Sequence, residues 1–251
     1  MASSNIALSA GILAFTAGII AAYMSVLLFK RNKLKPQKAT LYVFFATFSW
    51  TIVFFLASQI YFFAGMNLAL AYVLQVMMYG SIFSAVIFLY MFARKTFFRE
   101  KTRFYVAYII LGIVLVVILA ATESSYVEPF PDSIGGDFPA VILKTEQGLV
   151  LVAYVVPTLV GIAVSAFKVA SRLEDKLFAR GFQVIGFGLI IALITMGCDT
   201  VATLVISSAI GYALALYAQW ILNVLAAVFL YVGWTMPGWF QRRYGTRSRD
   251  A

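Results

Sequence analysis

Seven long apolar runs, each bounded by charged or turn-forming residues, constrain this chain more than any other feature of its sequence. A hydrocarbon core of about 30 Å is crossed by about 20 helical residues rising 1.5 Å each. Runs of that order fall at 6–29, 39–64, 68–93, 104–121, 148–171, 181–207 and 213–236. A membrane β-strand would alternate apolar and polar residues over about ten positions, whereas Ile109 to Ala121 is apolar without interruption. The expected fold is therefore all-α: a seven-helix transmembrane bundle over 1–237, with an outer loop at 122–148 and a short basic tail at 238–251. Only 12% of the residues are charged, against roughly a quarter in a soluble domain, which excludes a water-soluble enzyme.

Charge placement orients the bundle, because loops rich in Lys and Arg stay cytoplasmic. Basic residues cluster at 30–38, 94–103, 168–180 and 242–249, all on one side if every run crosses. The opposite side holds Lys144 against Glu123, Glu128, Asp132, Asp137 and Glu146. The amino terminus is thus expected outside, the carboxyl terminus inside, and the protein in the plasma membrane. Met1 to Asn5 carries no charged side chain, so the first run is a retained helix rather than a cleaved signal. Orientation and contact with anionic membrane lipids account for the net charge of +9, and no nucleic-acid role is expected.

The absence of histidine and the single cysteine leave little for zinc, copper or haem. Neither metal nor cofactor is expected. No GxSxG motif and no pair of carboxylates within the spans is present, so an enzyme is not expected. The outer loop carries Pro129, Pro131, Pro139 and the Gly135–Gly136 pair. Its flanks, Tyr126–Val127 and Ala140 to Leu143, suit a small β-hairpin, either a lid or a plain connector.

Asp199 is the only acidic residue inside an expected span, and an intramembrane carboxyl is costly enough to mark a candidate site. Thr195 and Thr203 stand four residues to either side and share its helix face. Gln75, Gln219, Asn223 and Tyr154 fall at comparable depths from the outer boundary, and Gln59 lies near the outer end of the second run. If these faces converge, they line an outward-facing polar pocket; the plainer reading is that they hydrogen-bond between helices as packing contacts. Gly181, Gly186 and Gly188 suit close helix packing in the inner half of the sixth run.

Several strings resemble the seven-helix membrane sensor regions of prokaryotic histidine kinases. They are the basic entry and aromatic second helix KPQKATLYVFFATFSWTIVFFLASQ, the sixth-helix segments ARGFQVIGFGL and GCDTVATL, and the close LYVGWTMPGWFQRR. The resemblance implies sensing of an extracellular or membrane signal, with output through a partner protein, since only 14 residues follow Pro237. The outline is also similar to microbial rhodopsins, but residues 213–236 contain no lysine for a retinal Schiff base. Pro36–Gln37 is similar to the motif of PQ-loop transporters, although it stands in a charged loop. The expected function is a receptor-like or sensor-like protein that binds a small molecule or lipid from outside. The alternatives are a small secondary transporter with Asp199 coupling protons, or a non-catalytic subunit of a membrane complex.

Overall fold

A computed structural model describes residues 2–63, 68–98, 105–121, 125–129, 139–143, 145–204 and 209–244. Its long elements are α1 (Ala2–Leu34), α2 (Lys38–Phe63), α3 (Leu68–Thr96), α4 (Tyr105–Ala121), α5 (Thr145–Ala170), α6 (Lys176–Leu204) and α7 (Ala209–Thr235). Six of these are long and apolar enough to cross a membrane, which makes this a multi-pass membrane protein; α4 is a shorter apolar helix. The strands β1 (Ser125–Pro129) and β2 (Pro139–Leu143) pair antiparallel with Tyr126 opposite Ile142 and Val127 opposite Val141. That is the hairpin expected in the outer loop. Whether the loop acts as a lid concerns residues outside the described ones.

The helices outrun the apolar segments at the basic end. Arg31 and Lys33 ride on the last turn of α1, and Arg94 and Lys95 on that of α3, where cations complement the partial negative charge of a helix C-terminus. The sixth helix begins five residues before the expected start. There the Asp175 carboxylate accepts from the backbone N–H groups of Leu177 at 2.8 Å and Phe178 at 3.3 Å, an N-cap that satisfies donors the first turn leaves open. The tail also differs from expectation. Gly238–Tyr244 forms a short helix, α8, held by the buried Phe240.

The chain closes into a ring in which α1 packs on α2, α2 on α3, α3 on α5, α5 on α6, α6 on α7, and α7 back on α1. The two most extensive interfaces are the α2–α3 and α6–α7 pairs, joined by short connections as the sequence suggested. Helix α4 lies outside the ring against α3 and α5, and only Gly112 and Leu119 of it are buried.

Residue size, more than polarity, sets which face of each helix turns inward. In α1 the buried stripe is Ala10, Ala14, Ala17 and Ala21, whereas Leu8, Ile12, Phe15, Ile19 and Tyr23 lie outside. Without a hydrophobic drive between helices in lipid, small residues gain most by letting backbones approach. Phe62 and Phe55 of α2 lie against Gly11 and Gly18. On α6 and α7 the approach is closer still. A Cβ on Gly233 would lie 2.7 Å from the Gly181 carbonyl oxygen, and one on Gly188 3.2 Å from that of Ala226. Gly186 instead receives the ring of Phe167 from α5.

The end of the bundle that carries the basic residues is tied by side chains reaching across helices. The Arg31 guanidinium donates to the Thr235 carbonyl at the end of α7, and the Trp234 indole N–H donates to Thr40 Oγ1 at 3.2 Å. Met236 follows with φ of 44°; this left-handed residue ends α7, and Gln241 of α8 donates to its carbonyl at 2.7 Å.

Candidate functional site

Asp199 lies near the C-terminal end of α6, five residues before the helix ends. Gly188, Ala192, Thr195 and Asp199 recur at i, i+4, i+7 and i+11, so they share the face that packs on α7. Ile190, Ile194 and Val201 occupy the opposite, exposed face. Asp199, on that face by register, is itself exposed.

The Gln219 side chain of α7 lies within hydrogen-bonding reach of the Asp199 carboxylate. Helix geometry explains the meeting. Side chains lean toward the N-terminus of their own helix, so Asp199 leans inward along α6 while Gln219, on the antiparallel α7, leans outward. A carboxylate only accepts, so the amide Nε2 is the group turned to it. Gln219 Oε1 is left buried with no hydrogen-bond partner.

The hydroxyls of Tyr61 on α2, Tyr79 on α3 and Tyr212 on α7 lie within electrostatic range of the Asp199 carboxylate. Gln75, one turn before Tyr79, is buried and donates through Nε2 to the Tyr79 hydroxyl at 2.8 Å. Beside them Trp220 of α7 packs edge-on against Phe54 and Tyr61 of α2, with ring centroids 5.9 and 6.2 Å away. The Trp220 indole N–H lies near the Tyr61 hydroxyl but closes no hydrogen bond of normal geometry. Ser58, on the same face of α2, is fully buried and its hydroxyl is likewise without a partner.

Of the residues expected to converge, Gln219 lies within reach of Asp199, and Gln75 bonds to Tyr79 on its own helix. Asn223 is half-buried one turn further along α7, and Gln59 is half-buried on α2 beside Ser58. Thr195 is buried on the Asp199 face, but its hydroxyl donates to the Ala192 carbonyl of its own helix at 2.6 Å. The side chain of Thr203 lies outside the described residues. Tyr154 departs from expectation. Its ring packs on Phe83 of α3 and stacks on Tyr108 of α4, with centroids 4.9 and 4.6 Å away. Its hydroxyl donates to the Tyr108 carbonyl at 3.0 Å, while the Tyr108 hydroxyl and Thr158 Oγ1 are 2.6 Å apart. Its polar atom is used to hold α5 against α4.

The sequence reading left Tyr61, Tyr212, Trp220 and Ser58 out of the site. A usable signal existed, since Phe54, Ser58 and Tyr61 recur at helical spacing on one face and Trp220 adjoins Gln219. Aromatics near span ends are ordinarily interfacial anchors, which hides those that turn inward.

The expected open space also sits differently. Between α2, α3, α6 and α7 a cavity of about 20 Å³ lies toward the basic end, lined by Val43, Thr47, Trp50, Leu89, Phe92, Ile185, Leu230 and Trp234. It is mostly apolar and has room for about one water. Phe54, Tyr79 and Trp220 are buried toward the Asp199 end of these helices.

No protein-family model, curated protein or solved structure matches the chain.

Proposed function

We propose that this is a seven-helix membrane protein, amino terminus outside and carboxyl terminus inside, that binds a small molecule or lipid headgroup at its outer end and acts as a receptor-like module. The orientation rests on the basic residues gathered at one end of the helices and the acidic ones at the other. The seventh crossing is α4, whose 17 residues lie at the short end of the range for spanning helices. What supports the binding role is the exposed Asp199 with the Gln219 amide within its reach and the Tyr79 hydroxyl, bonded by Gln75, within its electrostatic range. Polar groups placed there solely to pack would be expected to use up their hydrogen bonds, yet Gln219 Oε1, Ser58 Oγ and Trp220 Nε1 have none. Output through a partner protein would run along α7 to the Arg31, Thr40 and α8 contacts at the inner end.

A transporter reading is favoured by one feature: the inner cavity is lined by the same four helices that carry the Asp199 cluster. The two readings separate in proteoliposomes containing the purified chain, screened with a panel of small cationic, neutral and anionic solutes. Saturable thermal stabilisation without solute flux supports the receptor reading. Uptake abolished by Asp199→Asn supports the transporter. If no solute binds and Asp199→Leu only lowers stability, both readings fail and a scaffold role within a membrane complex remains.

A further inference from the structure

Some cations at the basic end are used within the fold and others are not. Arg31 donates to the end of α7, and Arg94 lies over the Tyr105 ring, 4.0 Å from its centroid. Arg180 of α6 and Arg243 of α8 instead converge on a single ring, that of Tyr244, with guanidinium carbons 6.0 and 5.8 Å from its centroid. Both side chains are exposed, and neither pairs with a carboxylate among the described residues. Asp175 is turned to the backbone of its own first turn, and Arg180 donates to a neutral acceptor, Gln183 Oε1, at 2.9 Å. Each guanidinium offers a fork of N–H donors and no acceptor, so the two together complement an anionic phosphate. The rest of that helix face selects the molecule that carries it. Lys176, Arg180, Gln183, Phe187, Ile190 and Ile194 recur at i, i+4, i+7, i+11, i+14 and i+18 and share one side of α6. Lys176 and Arg180 are exposed at its start, and Phe187, Ile190 and Ile194 are 51%, 38% and 50% exposed beyond it. Phe187 lies about 10 Å further along the helix than Arg180 at 1.5 Å per residue. Cations followed by bare apolar surface match a phospholipid from headgroup to chain, which a free phosphate does not use. Trp239, exposed on α8 and one turn before Arg243, is of the kind that settles at headgroup level. We propose that this face holds an anionic phospholipid, its phosphate between Arg180 and Arg243 and one acyl chain along Phe187, Ile190 and Ile194. The site stands at the opposite end of the helices from Asp199 and does not depend on it.

The test uses the full chain in phosphatidylcholine nanodiscs, with Phe187→Trp as a reporter on the proposed chain track. Lipids brominated on their acyl chains quench a tryptophan they touch, and the added tryptophan is read against the chain without it in the same discs. Brominated phosphatidylglycerol is expected to show an apparent affinity about tenfold above that of brominated phosphatidylcholine, whose own cation cancels its phosphate charge. Arg180→Gln combined with Arg243→Gln should bring the two lipids to parity. Lys35→Gln combined with Lys38→Gln removes as much exposed charge from the same end and should leave the ratio unchanged. Because the ratio compares two lipids on one variant, it does not depend on how stable that variant is. Equal quenching by the two lipids with both arginines in place overturns the site. An equal loss from the lysine pair overturns it as well, since the attraction would then belong to the whole basic end. Inorganic phosphate added at constant ionic strength should not lower the ratio; a fall to parity would assign the guanidiniums to free phosphate and overturn the lipid.

Discussion

Ser58 shows at one residue how a packing role and a binding role differ in measurable terms. Its hydroxyl is fully buried without a partner, and a buried hydroxyl left unsatisfied costs roughly 1–3 kcal/mol. If it serves packing alone, Ser58→Ala is expected to leave stability unchanged or raise it by up to about 1 kcal/mol, measured by thermal unfolding in nanodiscs without added ligand. A loss larger than that would mean that the hydroxyl bonds to something in the site. Gln75 gives the opposite case. Its amide donates to the Tyr79 hydroxyl in a buried setting, so Gln75→Leu should cost about 1 kcal/mol. It should also weaken ligand binding, because Tyr79 loses the group that holds its hydroxyl. The polar residues of this site were legible in the sequence because a carboxyl or amide in a span stands out. Trp220 and Tyr61 were not, since an aromatic residue at that depth is equally suited to lipid, to core and to a ligand.

Among the elements, α6 and α7 approach each other backbone to backbone at their glycines. Gly233→Ala would set a methyl 2.7 Å from a backbone oxygen and 2.9 Å from the Ile185 nitrogen, and neither backbone atom can turn aside. The helices must separate, at an expected cost of about 1–3 kcal/mol. Because Asp199 and Gln219 lie on this same helix pair, ligand binding should weaken with it. Gly161 on α5 has open space around it, and Gly161→Ala should change stability by no more than about 1 kcal/mol, in the favourable direction. Denaturation of the two variants side by side checks both expectations. The glycines of α6 were visible as packing residues, but not their separate partners. Gly181 and Gly188 meet α7 while Gly186 meets Phe167 of α5, a consequence of rotation about the helix axis that spacing alone leaves open. Helix ends were also hard to read. Apolar runs stop where lipid stops, whereas a helix continues until a cap or a left-handed residue ends it, as Asp175 and Met236 do here.

For the whole molecule, the ring closed by α1 against α7 brings the first and last long helices together, so the carboxyl-terminal helix α8 sits beside the inner ends of the bundle. The proposed orientation is tested in a Cys198→Ser background with a membrane-impermeant maleimide on intact cells. Asn5→Cys is expected to label from outside and Ser171→Cys only after permeabilisation; the reverse pattern would invert the bundle and place Asp199 on the cytoplasmic side. The sequence by itself determined that the chain crosses a membrane repeatedly as helices, because run length and charge placement are properties of a segment taken alone and the bilayer reads them segment by segment. Only the tertiary structure decided which way each helix turns and which side chains meet. In α1 both faces are apolar and differ in size, and the complementarity of small against large exists only between two helices. For the same reason Asp199 could be recognised as costly from its own helix, but its Gln219 partner and the tyrosines within its electrostatic range came into view only when α2, α3, α6 and α7 were assembled.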